Sequence, residues 1–141
     1  MTNRSWIGSP LVAGIAEGLI VASDEPLSLW GGLDPDTGAV IDRRHPLVGI
    51  RVTGAILSLP FGRGSCSASG VLLEAIHHDT APAAFIVSEI DPIIGLGAIL
   101  GDELLHRVVP VVLMSDEDRR SIPTGLRVRI ENDGRVTQIC Q

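Results

Sequence analysis

The chain contains the run Gly62-Arg63-Gly64-Ser65-Cys66-Ser67-Ala68-Ser69-Gly70 between a strand-like apolar stretch (residues 55–60) and a helix-like one (residues 71–77). Glycines let a backbone approach a bound group closely, and the first N–H groups of a helix lack partners within the helix and attract anions. The three serines of the run supply hydroxyl groups for chemistry. The run therefore predicts a strand–turn–helix unit that cradles an anion. A plain turn capped by Ser65 or Ser67 would use the same residues.

A dinucleotide-binding turn is a second interpretation of this run. Gly62, Gly64 and Ser67 match the pattern G-x-G-x-x-G except at its third glycine. That fingerprint normally opens its domain, whereas here it lies in the middle of the chain. A serine at the third position would also disturb the close helix packing that glycine permits. These two departures disfavour dinucleotide binding.

Composition narrows the class of protein. The chain has 141 residues, 45% of them hydrophobic and 20% charged, which predicts a single globular domain over residues 1–141. Its formal net charge of −6 is unlike that of most nucleic-acid-binding domains. No apolar run reaches the roughly 18 residues of a membrane span, and the first residues do not resemble a signal peptide. We therefore expect a cytoplasmic protein that binds neither membranes nor nucleic acid.

Missing residue types exclude several chemistries. The chain has no lysine, so neither a Schiff base nor the lysine of a phosphate-binding loop is available. It has no tyrosine, so no phenol can act as an acid or base. Cys66 and Cys140 are its two cysteines, too few for an iron–sulfur cluster or a structural zinc site. Any catalysis must therefore use serine, histidine, carboxylates or arginine.

Periodicity and turn residues predict an α/β fold with three layers in the order β/β/α. The turn Asn132-Asp133-Gly134 is a strong hairpin signal. Polar clusters carry less information: Asp116-Glu117-Asp118-Arg119-Arg120 is expected to be a solvated face, and His77 and His78 are expected to be structural or solvent-exposed. Strands are predicted at residues 14–22, 27–30, 40–41, 49–59, 83–87, 108–113, 127–130 and 135–139, and helices at residues 67–78 and 92–100.

Two segments together resemble the small, swivelling subunit of aconitase X enzymes. The first is Gly31-Gly32-Leu33-Asp34-Pro35-Asp36-Thr37-Gly38-Ala39-Val40-Ile41-Asp42, followed by His45-Pro46-Leu47. The second is Leu59-Pro60-Phe61-Gly62-Arg63-Gly64-Ser65-Cys66-Ser67. With weaker likeness further on, the resemblance extends over roughly residues 17–113.

The resemblance implies a β/β/α swivelling domain of the aconitase superfamily, which closes over an iron or iron–sulfur centre held by a large catalytic subunit. It also implies that Ser65 is the catalytic base that removes a proton from the substrate, a small hydroxy acid, while the iron takes the leaving hydroxyl group. Substrate contacts are expected from the rest of the turn and from the long loop that precedes it, at Gly62, Arg63, Gly64, Cys66, Ser67, Asp34 and His45.

One departure bears on the substrate. Aconitase itself has an arginine that grips a substrate carboxylate where this chain has Ser67. A tricarboxylate is therefore disfavoured. Among aconitase X enzymes, the pattern around Arg63 and residues 66–74 is most similar to bacterial enzymes that dehydrate cis-3-hydroxy-L-proline to 1-pyrroline-2-carboxylate. Dehydration of mevalonate 5-phosphate is the nearest alternative, and a non-catalytic or phosphoryl-carrying swivelling domain is an alternative of another class.

Overall fold

The computed structural model of the chain describes residues 3–63 and 66–139. These residues form eight strands and three helices. In chain order the elements are β1 (Ser5–Ile7), β2 (Ser9–Val12), β3 (Ala16–Ala22), β4 (Ile56–Ser58), α1 (Ser67–His77), β5 (Ala84–Val87), α2 (Pro92–Leu105), β6 (Val111–Leu113), α3 (Asp116–Arg120), β7 (Arg127–Ile130) and β8 (Arg135–Gln138).

All eight strands belong to one mixed sheet in the order β1-β8-β7-β3-β4-β5-β6-β2. Strands β3, β4, β5 and β6 are parallel neighbours, and the remaining pairs are antiparallel. The two outermost strands, β1 and β2, are consecutive in the chain and are joined by Gly8, whose N–H donates to the carbonyl oxygen of Gly134. The sheet therefore curls until its two edges meet at Gly8, which leaves little free edge.

Two hydrophobic clusters occupy the two faces of the parallel strands. In β5, Ala84 and Ile86 point into one cluster with residues of the antiparallel half such as Val128, so the two halves of the sheet pack face to face. Phe85 and Val87 point into the other cluster, which α1 and α2 cover. Burial on both faces explains why these strands are continuous apolar runs. The predicted three-layer β/β/α arrangement is confirmed.

Helices α1 and α2 pack closely because α2 has glycines where α1 approaches. A Cβ atom at Gly97 would lie 3.0 Å from the carbonyl oxygen of Ser69, and one at Gly101 would lie 2.6 Å from Cδ1 of Ile76. Helix α2 extends to Leu105, beyond its predicted end at residue 100. In the described part of the chain, no helix has both the length and the apolarity needed to cross a membrane.

Several strand predictions were wrong in extent. Of residues 49–59, only Ile56–Ser58 form a strand, β4. A turn precedes β4, in which Ala55 N–H donates to the carbonyl oxygen of Val52. Residues 27–30 and 40–41 form isolated bridges within a long loop rather than strands. The short strands β1 and β2 were not predicted, since Gly8 and Pro10 interrupt any periodic pattern in residues 5–12.

The prediction of a solvated face at residues 116–120 was wrong at Arg119. This segment is the short helix α3, and the side chain of Arg119 is buried in it. Its guanidinium donates to Asp116, to the carbonyl oxygen of Ser23 and to Oγ of Ser58. A buried arginine needs such partners, and these come from segments that are distant in sequence.

Candidate active site

The glycine–serine turn lies between β4 and α1, at the carboxyl ends of the parallel strands. Ligands of open α/β sheets commonly bind at this edge. The turn's entry is held by backbone contacts: Gly62 N–H donates to Oδ2 of Asp91 over 2.6 Å, and Arg63 N–H donates to the carbonyl oxygen of Leu27 over 3.2 Å. The predicted base, Ser65, and its neighbour Gly64 lie outside the described residues.

The exit of the turn is the N-terminus of α1. Cys66 occupies the N-cap position in a helical conformation, and its thiol, which is free and exposed, makes no cap hydrogen bond. Ser67 is the first residue of the helix. Of the two serines named as capping residues in the plain-turn interpretation, Ser67 is therefore not at the N-cap position. Residues 62–63 and 66–67 thus bring the chain from the end of a buried strand directly onto a helix N-terminus, where negative charge is favoured.

Asp91 is a residue of this site that the sequence did not reveal. It is 6% exposed and sits at the N-cap of α2, where Oδ1 accepts from the N–H groups of Ile93 and Ile94, both over 3.0 Å. Its other oxygen holds Gly62. The sequence Asp91-Pro92 does signal a helix start, but nothing local signals the contact with a residue 29 positions earlier.

The long loop that precedes β4 begins beside the turn, since Leu27 pairs with Gly62. Asp34, half-buried in this loop, uses Oδ1 to accept from the N–H of Asp36, and its carbonyl oxygen accepts from Gly38 N–H. These bonds shape the loop's own turn. A substrate contact from Asp34 stays a prediction.

The side chain of His45 is buried within the loop and hydrogen-bonded there. It is 3% exposed, and its Nδ1 accepts from the N–H of Leu47 over 3.1 Å. The proton therefore sits on Nε2, which lies 3.2 Å from the carbonyl oxygen of Glu25. Both ring nitrogens have partners within the loop, so the structure gives His45 a structural role. A contact of His45 with substrate stays a prediction, and this arrangement does not favour it.

Polar groups that follow the neighbouring strands form hydrogen bonds next to the turn. Ser88, which follows β5, has its Oγ 3.1 Å from Oδ1 of Asp116 and 3.2 Å from the carbonyl oxygen of Pro60, and its one hydroxyl proton can be donated to either acceptor. Burial alone would raise the pKa of Asp116, but hydrogen bonds from Arg119 and Ser88, with the charges of the nearby arginines, lower that pKa below its ordinary value. Asp116 is thus an ionised acceptor for Arg119 and Ser88 at the same edge of the sheet.

A small cavity adjoins the turn among the described residues. It has a volume of about 10 Å³ and is lined by Leu29, Gly62, Arg63, Ala68, Asp91, Ile93 and Ile94. A cavity of this size holds about one water molecule. This cavity cannot hold a substrate, so a substrate at the turn would bind outside it.

A separate group of metal-binding residue types lies at the other end of α1. Among the described residues, Asp36, Glu74 and His78 bring their ligand atoms within 4.8 Å of one another, and all three are exposed. Helix α1 has 11 residues and is about 16 Å long at ~1.5 Å per residue, so this group is well separated from the turn.

Comparisons with known proteins agree with this architecture. Residues 5–139 match the family model of the aconitase X swivel domain. The chain is 41% identical to cis-3-hydroxy-L-proline dehydratase from Hypocrea jecorina over 97% of its own length, but spans only 23% of that enzyme. It is 36% identical to the phosphomevalonate dehydratase small subunit of Pyrococcus furiosus, over 95% of both chains.

A solved structure shows the same fold. The crystal structure of Thermococcus kodakaraensis aconitase X in its holo-form superposes with a TM-score of 0.86 at 35% identity, and the match covers 97% of this chain and 99% of that one. Each of these relatives is named as a dehydratase or as aconitase X. The family match over nearly the whole chain and the matching fold lead to one conclusion: the chain belongs to the aconitase X swivel domain family.

Proposed function

We propose that the chain, as one swivelling domain over residues 1–141, forms the small part of a hydro-lyase that dehydrates cis-3-hydroxy-L-proline to 1-pyrroline-2-carboxylate. One observation carries the chemistry: the turn that contains Ser65 leads directly onto the N-terminus of α1. Helix N–H groups and the exposed guanidinium of Arg63 favour an alkoxide, so they would make the Ser65 hydroxyl a usable base. The hydroxyl group leaves the substrate as Ser65 takes the proton, so water is lost overall.

Both the iron centre and the rest of the substrate pocket would lie on a large catalytic part. The donor set that the described residues place beside the turn does not fit an iron–sulfur cluster, because Cys66 is the single thiol among them and both oxygens of Asp91 already accept backbone N–H groups. The cavity of about 10 Å³ beside the turn is also too small for a substrate, so the substrate would bind between the exposed face of the turn and a surface of the large part. This chain would therefore supply the base and close over the bound substrate.

The substrate assignment rests on sequence likeness. The 41% identity with a cis-3-hydroxy-L-proline dehydratase extends over 97% of the chain, and Ser67 stands where aconitase has its carboxylate-binding arginine. The phosphomevalonate alternative is favoured by a different observation, because that small subunit matches this chain over 95% of both lengths. A phosphoryl carrier acting through His45 is disfavoured, since the ring is buried and both of its nitrogens have partners.

The test combines the chain with its large catalytic part and measures turnover of both substrates in parallel. We expect kcat/KM for cis-3-hydroxy-L-proline to exceed that for mevalonate 5-phosphate by at least about 10², as expected for a site built around one substrate's polar groups. The reverse preference would transfer the proposal to mevalonate 5-phosphate. Turnover of neither substrate would refute the proposed activity.

The role of Ser65 is tested by the variant Ser65→Ala. Loss of a general base should lower kcat by about 10²–10⁴ while the variant still co-elutes with the large part on gel filtration. Ser5→Ala, on the exposed edge strand β1, is the matched control and should retain wild-type turnover. Wild-type kcat in Ser65→Ala would show that another group removes the proton.

A further inference from the structure

Asp91 makes one more contact than its helix requires. An N-cap residue needs a single acceptor oxygen, and Oδ1 of Asp91 already accepts from both Ile93 and Ile94. Serine, threonine or asparagine would cap α2 as well. The second oxygen, Oδ2, is directed at Gly62 N–H over 2.6 Å, a short bond of the kind that a charged acceptor forms. The choice of a carboxylate at this position is therefore explained by the serine turn rather than by α2.

Gly62 is the residue type that this contact demands. A Cβ atom at position 62 would lie 2.5 Å from Oδ2 of Asp91 and 2.9 Å from Cδ1 of Ile94. Any side chain would therefore push the turn away from α2 or displace the carboxylate. Gly62 and Asp91 form a matched pair in which one supplies the space and the other fills it with an acceptor.

The helix that follows the turn is also bonded to the first turn of α2. Ser69, in the first turn of α1, donates through Oγ to the carbonyl oxygen of Ile93 over 2.9 Å. Gly97 of α2 also leaves room for the backbone of Ser69. The segment from 62 to 69 is thus attached at both ends to the first turn of α2, through Asp91 on one side and Ile93 on the other.

We propose that Asp91 is the positioning residue of the serine turn: its second carboxylate oxygen fixes Gly62, and with it the approach of Ser65 to the substrate. This inference rests on the proposed function, in which Ser65 is the base. Asp91 touches neither substrate nor reacting atoms in this role. It acts because a reacting group displaced by about 1 Å can lose about 10² in rate.

The variant Asp91→Asn separates this role from helix capping. The asparagine oxygen can still accept from Ile93 and Ile94, whereas its NH₂ group would face Gly62 N–H, donor against donor. In the assembled enzyme we expect kcat to fall at least about tenfold with KM within about twofold. In the free chain labelled with ¹⁵N, the Gly62 amide should shift upfield and exchange faster with solvent.

Two further variants complete the design. Asp133→Asn is the matched control, because Oδ1 of Asp133 also accepts a backbone N–H but lies in the β7–β8 hairpin, and it should retain wild-type kcat. Asp91→Ala should lose the α2 cap as well, so it should lower the unfolding midpoint in addition to kcat. Asp91→Asn with kcat within twofold of wild type would overturn the role of Asp91. So would a lowered kcat with an unchanged Gly62 amide. Absence of turnover by the wild-type assembly would instead overturn the proposed function itself.

Discussion

Replacing Arg119 with methionine removes a guanidinium from the protein interior and keeps most of the aliphatic side chain. Arg119 is 1% exposed. Its Nη1 donates to the carbonyl oxygen of Ser23 over 3.0 Å and to Oγ of Ser58 over 3.3 Å. Its Nε and Nη2 donate to Oδ1 of Asp116 over 3.1 and 3.0 Å. The substitution leaves all of these acceptors in place without their donor.

The expected cost follows from the burial of those acceptors. Ser23 and Ser58 are both buried, and an unsatisfied buried polar group costs about 1–3 kcal/mol. Asp116 is about half exposed and can be rehydrated, so its lost ion pair adds only about 0–1 kcal/mol. The free energy of unfolding should therefore fall by about 4 kcal/mol, which lowers the unfolding midpoint by roughly 10 °C in a chain of this length.

Arg120→Met is the matched control because Arg120, like Arg119, pairs with both Asp24 and Asp116, but its side chain is 56% exposed. It should lose no more than about 1 kcal/mol. Urea and thermal unfolding of the free chain, followed by circular dichroism, measure both variants. Equal losses in the two variants, or a loss below about 1 kcal/mol in Arg119→Met, would refute the argument from buried acceptors.

Two further predictions concern stability. Gly38→Ala should lower the free energy of unfolding by about 1–3 kcal/mol more than Gly49→Ala. Both glycines have positive φ, but only at Gly38 would a Cβ atom collide with Oγ1 of Thr53 and the carbonyl oxygen of Thr80. Equal losses in the two variants, measured by urea unfolding, would contradict this. Because the folded-state pKa of Asp116 lies below its ordinary value of 3.8, the stability from its carboxylate is complete above that value and is lost as pH falls through the lowered folded value. The gap in unfolding free energy between wild type and Asp116→Asn should therefore shrink on acidification below about pH 4, and a gap that widens there would reverse the assigned sign.

Local patterns predicted much of this fold. The apolar runs at β5 and β6, the helices α1 and α2, and the β7–β8 hairpin at Asn132-Asp133-Gly134 lie where periodicity and turn residues indicated. These elements are encoded by neighbours in sequence, so a single sequence reveals them. Their order also indicated the β/β/α layers, and the glycine–serine turn with the preceding loop indicated the family.

The errors have a common origin in long-range contacts. The apolar residues of 49–59 satisfy a strand pattern, yet their backbone turns at Gly54 because Gly54 N–H bonds to the carbonyl oxygen of Ala81. The charge run at 116–120 satisfies a surface pattern, yet Arg119 is buried because Ser23, which follows β3, and Ser58, in β4, supply acceptors. Periodicity cannot report either fact.

The sequence by itself therefore determined the catalytic hypothesis: a glycine-rich turn with three serines lies before a helix, and the resemblance to aconitase X small subunits singled out Ser65 among them. Only the tertiary structure decided how that turn is held. Gly62 and Asp91 are 29 residues apart and meet because β4 and β5 are adjacent and parallel, which brings the segments after their carboxyl ends to one edge. A hydrogen bond between two such segments depends on strand order, and strand order is a property of the folded chain.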